Sequence, residues 1–167
     1  PSFQNEKEGF LFALPNCIIL SVQQSIIMAA KRFYYSDTIA DFLNRNTDEI
    51  IGKLTLSSQH DINDETAQSW TEEILTLRNT LLPYSGNGSV YFEYNIPRMG
   101  RRADVIGVIN GIVFVLEYKT SEQKFQRDAI LQVWDYALDL KNFQEGSLNR
   151  ILIPILVAPK EKDSHCK

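Results

Sequence analysis

Two hydrophobic rhythms alternate along the chain. Asp37–Leu43 and Asp48–Leu54 read as short helices separated by Asn44-Arg45-Asn46. A longer helix is expected from Asp64 to Leu82, because Trp70, Ile74, Leu77 and Leu81 recur at steps that keep them on one face. Pro83 and Ser85-Gly86-Asn87-Gly88 end it. The rhythm then changes to period two. Val90, Phe92, Tyr94 and Ile96 alternate with Tyr91, Glu93 and Asn95, as a strand requires. Pro97–Gly100 turns the chain, and the β-branched runs Ala103–Ile109 and Ile112–Tyr118 flank Asn110-Gly111, the strongest short hairpin signal. A second long helix is expected over Gln123–Leu140, followed by a strand over Arg150–Ala158 whose continuous apolar character predicts burial. These elements predict an α/β fold: a central mixed sheet with an antiparallel hairpin, flanked by helices.

The last helix is apolar on two sides. Phe125, Ala129, Tyr136 and Leu140 line one, and Ile130, Trp134 and Leu138 line the other. Such a helix is normally covered on both, here by the N-terminal helices or by a further domain.

The hairpin also carries a geometric consequence. With Asn110-Gly111 as a two-residue turn, Ile109 pairs with Ile112, and counting outward places Asp104 opposite Glu117 and Arg102 opposite Lys119. Directly opposed carboxylates repel, and period two puts Lys119 on the face of Glu117. Either Arg102 and Lys119 neutralise the acids as a surface ion network, or a hard divalent cation sits between them. In the second case Lys119 positions the attacking water and offsets charge in the transition state.

Composition narrows the classes. The 44% hydrophobic and 23% charged content describes a globular domain, and the net charge of −4 means that any nucleic-acid contact rests on a local patch. Arg98, Arg101 and Arg102 form one candidate patch, with Lys119, Lys124 and Arg127 further on; a solvated loop is the plainer alternative. Cys17 and Cys166 have no disulfide spacing, which points to a reducing compartment, and with His60 and His165 they match no zinc pattern. Phe10–Leu20 is too short to span a bilayer and follows an acidic stretch, so no export and no membrane segment are expected, and the location is read as cytoplasmic.

Arg101-Arg-Ala-Asp104, a hairpin and then Glu117-Tyr-Lys119 resemble the bipartite signature of the PD-(D/E)xK nucleases, with Ala103 in place of the usual Pro. Gln132-Val-Trp-Asp-Tyr136 resembles the Gln-x-x-x-Tyr motif of the RecB-like branch, its two ends sharing a helix face. Members often carry another acid on the first core helix, for which Glu73 is the candidate; an ordinary solvated helix residue is the alternative. Longer stretches, Phe33-Tyr-Tyr-Ser, the segment from Phe92 to Arg102 and that from Gln132 to Phe143, resemble the N-terminal nuclease-like region of bacterial Schlafen-type DNA/RNA helicases.

The resemblance implies a restriction-endonuclease-like core. It implies Mg2+ or Mn2+ held by Asp104 and Glu117, with Lys119, Gln132, Tyr136 and Glu73 completing the catalytic set. Nucleic acid is the implied partner, DNA ahead of RNA, and Arg98, Arg101 and Arg102 are its implied contacts. The division expected is an N-terminal tail over 1–27, either upstream of the natural start or an ordinary extension, then a helical part over 28–83. A nuclease-like core over 84–160 and a tail over 161–167 follow, the chain ending ahead of an ATPase/helicase domain. An inactive nuclease-like module for nucleic-acid binding or protein docking is the competing reading.

Overall fold

A computed structural model of the chain describes residues 32–58, 62–96, 100–119 and 127–158. These build an α/β fold in the order β1 (Tyr35–Thr38), α1 (Ile39–Asn44), α2 (Thr47–Ser57), α3 (Asp64–Leu81), β2 (Ser89–Asn95), β3 (Arg102–Ile109), β4 (Ile112–Tyr118), α4 (Arg127–Phe143) and β5 (Leu152–Val157). The strands lie side by side in chain order. Neighbours from β1 to β4 are antiparallel, and β5 returns parallel to β4 after the α4 crossover, giving a mixed five-stranded sheet. No helix of the described residues is long and apolar enough to cross a membrane. The segments 1–27, 123–126 and 161–167 lie outside the described residues, as do Arg98, Lys124, both cysteines and both histidines.

Local chemistry explains the element ends. Thr38 is the last residue of β1 and also the N-cap of α1, its hydroxyl accepting the Asp41 N–H at 3.1 Å. An N-cap has extended φ/ψ, so one residue serves both roles. Strand therefore occupies the start of the segment expected to be helical from Asp37. Four residues are too few to show alternation in the sequence. Asn46 and Asn63 cap α2 and α3 in the same manner. At the hairpin, Asn110 and Gly111 have φ of 51° and 82°, the left-handed pair that a type I′ turn requires.

The sheet is covered on both faces. Against one face α1, α2 and α3 bury Ile39, Phe42, Ile50, Leu54, Trp70, Ile74, Leu77 and Leu81 with Val90, Phe92, Val105 and Leu116. Against the other, α4 buries Val133, Tyr136, Ala137 and Leu140 with Ile96, Ala103, Ile106, Val113 and Val115. The α3 stripe thus packs as its periodicity predicts, each such side chain contributing about 1.5–3 kcal/mol relative to exposure. Arg78 ties α3 to its neighbours, donating to Thr47 Oγ1 at 2.9 Å and to the Phe42 and Arg45 carbonyls. One expectation of burial fails, and α1–α3 do not supply the cover expected for the second side of α4. All of β5 is half-buried, because among the described residues it is the last strand of the sheet with one open edge, which also accommodates Pro154. On α4, Ile130, Trp134 and Leu138 remain 40%, 52% and 51% exposed, because α1–α3 pack on the opposite face of the sheet.

Along β2 and β3 the alternation breaks once in each strand. Phe92 packs in the core under α1–α3, whereas Tyr94, two residues on, packs in the core under α4. Val105 and Ala103 divide in the same way. Residues two apart in a regular strand share a face, so β2 turns over at Glu93 and β3 at Asp104. Glu93 shows the cause in its φ of 52°, uncommon for a residue with a Cβ. The β2–β3 ladder pairs Phe92 with Val105 and Tyr94 with Ala103 but skips Glu93 and Asp104. The β3–β4 ladder likewise ends at Val105–Leu116. Glu93, Asp104 and Glu117 therefore form a row across three strands at the point where regular pairing is given up.

Candidate active site

That row opens into a pocket of about 310 Å3, lined by Glu73, Glu93, Asp104, Glu117, Tyr118 and Lys119, with Glu65, Thr66, Ser69 and Trp70 of α3 completing its wall. Five carboxylates and one lysine thus share a single concavity. Each acid is held differently. Glu73 is 4% exposed; its Oε1 accepts the Ser69 hydroxyl at 3.0 Å, and its buried Oε2 has no hydrogen-bond partner. Asp104 Oδ2 accepts the Tyr118 N–H at 2.7 Å, a donor that a continuing ladder would give to a backbone carbonyl of β3. Glu117 Oε1 accepts from Lys119 Nζ at 3.0 Å and from Gln132 Nε2 at 2.6 Å, while its Oε2 is buried without a partner. Glu93 accepts from Trp70 Nε1 at 2.9 Å and from Arg102 Nε at 3.0 Å.

Crowding carboxylates away from water disfavours their charged forms. Burial first, then the charge of Asp104, pushes Glu73 up to about 9. Burial and the charge of Glu117 push Asp104 up to about 8, against the pull of the Tyr118 amide. Glu117 is also raised by burial, with the Lys119 hydrogen bond opposing. Burial raises the Tyr136 phenol, and its bond from Gln132 Nε2, at 2.7 Å, lowers it again.

The structure brings together Asp104, Glu117, Lys119, Gln132, Tyr136 and Glu73, which the sequence singles out. Glu73 is buried at the site and not a solvated helix residue. Two details differ from expectation. Asp104 and Glu117 are not a ladder pair, since β3 has already turned away and the carboxylate of Asp104 reaches the amide of Tyr118 instead. Arg102 does not oppose Lys119; it bonds Glu93 and lies 4.6 Å from the Tyr34 ring centre, leaving Lys119 to Glu117. Arg101 is exposed, near enough to Tyr136 for its charge to favour the phenolate. Glu93 is the functional candidate that sequence reasoning missed. The one available signal was its place opposite Asp104, but the sequence from Pro97 to Gly100 carries no turn signal that fixes the β2–β3 register in the way that Asn110-Gly111 fixes the hairpin.

Among the described residues no three His, Cys, Asp or Glu side chains stand ready-made as a metal-ligating group. The donor set nonetheless fits a hard cation. Glu73 Oε2 and Glu117 Oε2 are buried without partners in the pocket that Asp104 also lines, and all three acids resist ionisation in the absence of added positive charge. Comparison with protein-family models, curated proteins and solved structures finds no match for this chain.

Proposed function

We propose that this pocket is the catalytic centre of a metal-dependent nuclease with a restriction-endonuclease-like core of the PD-(D/E)xK type. The observation that carries the reading is the pair of buried oxygens, Glu73 Oε2 and Glu117 Oε2, left without partners in one pocket beside Asp104. A buried acceptor without a partner costs about 1–3 kcal/mol, and more when charged. A bound divalent cation would remove that cost. Asp104 and Glu117 are its proposed ligands, with Glu73 approaching from α3, and Mg2+ or Mn2+ suits an all-oxygen set.

The other residues then take definite tasks. Gln132, steadied by Tyr136 one helical turn on, holds Glu117 Oε1 and so presents Oε2 to the pocket. Lys119 keeps a positive charge beside the same carboxylate, where it can orient water and counter the charge that develops on a phosphodiester in its transition state. The cation, when bound, supplies Lewis acidity toward the phosphate and a more acidic water. Arg102 at the start of β3 and Arg101 just before it are the proposed phosphate contacts, and a helicase-type motor is the proposed companion domain.

Thermal melting of chelator-treated protein with and without Mg2+ or Mn2+, alongside cleavage of single- and double-stranded DNA and RNA, tests the reading. Metal should raise the melting temperature by mass action and cleavage should require it. Metal stabilisation without cleavage of any substrate would favour an inactive nuclease-like module. Neither response would leave the pocket as a structural acid cluster and end the nuclease reading.

A further inference from the structure

Beside the acid pocket, on the α4 side of the sheet, lies an aromatic cluster with basic residues on either hand. Phe33 and Tyr94 stack at 6.5 Å between ring centres with planes 19° apart, and Tyr91 packs edge-on to both, at 5.3 and 6.2 Å. All three rings are only partly buried. Tyr94 directly follows Glu93 and pairs with Ala103, the residue before Asp104, so the cluster adjoins the row of acids. The main chain at Asn95 and Ile96 is bonded to Arg32 on one side and to Arg101 on the other, and both arginine side chains are exposed. On a chain with a net charge of −4, two exposed arginines whose main chain adjoins a partly buried ring cluster beside the row of acids are a local reversal of the overall balance.

We infer that Phe33, Tyr91 and Tyr94 form a base-stacking platform, with Arg32 and Arg101 as its phosphate contacts, and that the substrate class of the proposed nuclease is single-stranded nucleic acid. Rings that only pack against the α4 core need no cations beside them. Bases stack on an aromatic face whatever their identity, and a basic groove tracks the backbone between them. A duplex cannot use such a platform, because its bases already stack on one another. The turnover of β2 at Glu93 makes the arrangement possible: Phe92 is buried under α1–α3, and Tyr94, released to the other face, meets Phe33 and Tyr91. The substrate assignment rests on the nuclease reading, whereas the platform itself does not.

Fluorescence anisotropy of the full chain in chelator, with a labelled single-stranded oligonucleotide, its duplex and an abasic single strand of equal length, tests the platform without requiring cleavage. The single strand, as DNA or as RNA, should bind about tenfold or more tightly than the duplex, and the abasic strand should lose that advantage. Tyr94→Leu and Phe33→Leu, which keep apolar bulk, should each weaken single-strand binding about tenfold at a temperature where thermal melting shows the variant folded, while Tyr94→Phe should bind as wild type. Arg101→Ala should lower the slope of log affinity against log salt by about one. Equal or tighter duplex binding, full affinity for the abasic strand, or wild-type affinity in both leucine variants would overturn the inference. Any of these leaves metal-dependent cleavage untouched; loss of cleavage with single-strand preference intact would instead remove the nuclease reading alone.

Discussion

Glu73→Gln removes a charge but keeps the shape of a side chain that is 4% exposed and lies near three other acids. In the metal-free protein Glu73 holds its proton to about pH 9, whereas the unfolded chain releases it near the ordinary 4.5. The folded state then binds more protons than the unfolded state across that window, so wild-type stability is full below about pH 4 and declines as pH rises toward the folded value. At pH 7 the penalty is set by the distance from 4.5, roughly 3 kcal/mol at about 1.4 kcal/mol per pH unit. Glutamine carries no such penalty, and its Oε1 can still accept from Ser69. In chelator at pH 7 the variant should melt higher, by on the order of 10 °C. The gap should vanish near pH 4 and widen up to pH 9. With Mg2+ or Mn2+ present, the order should narrow or reverse, because the variant gives up a proposed contact to the cation. Differential scanning calorimetry across pH, with and without metal, supplies the measurement. A variant less stable than wild type by the same amount at pH 4 and pH 8 would refute the argument, since the carboxyl would then be a satisfied packing group.

Asp104→Asn should abolish the metal-dependent rise in melting temperature, read by thermal shift, while leaving the chelated protein at least as stable as wild type at pH 7. Lys119→Ala should retain metal binding by calorimetric titration but lower the rate of any metal-dependent cleavage by about 10² or more, as for loss of a preorganised charge at a transition state. Arg78→Ala should cost about 2 kcal/mol in chemical denaturation, because it strips the Phe42 and Arg45 carbonyls of their donor. Gly88→Ala should cost more than about 2 kcal/mol by the same assay, since its Cβ would stand 2.5 Å from the Val108 carbonyl oxygen at a φ of 150°; wild-type stability there would contradict the close approach of β2 and β3.

Several features are legible in the order of residues because their causes are local. The stripe of Trp70, Ile74, Leu77 and Leu81 marks α3 and its buried face, and Asn110-Gly111 sets the hairpin register from Ile109–Ile112 to Val105–Leu116. That register alone brings Asp104 and Glu117 into one neighbourhood, and helical spacing puts Gln132 and Tyr136 on one face of α4. What the chain order leaves open depends on partners distant along it. Tyr35–Thr38 is a strand because β2 lies beside it, and β5 is half-buried because nothing pairs with its far edge among the described residues. Glu93 reads as one more polar position in an alternating run. It becomes part of the site because Trp70 of α3 and Arg102 of β3 hold its carboxylate while its backbone turns over. Periodicity reports what a segment does when every residue is paired as its neighbours are. The site forms where β2 and β3 abandon that regularity together beside β4, a choice that only contacts between remote segments can make.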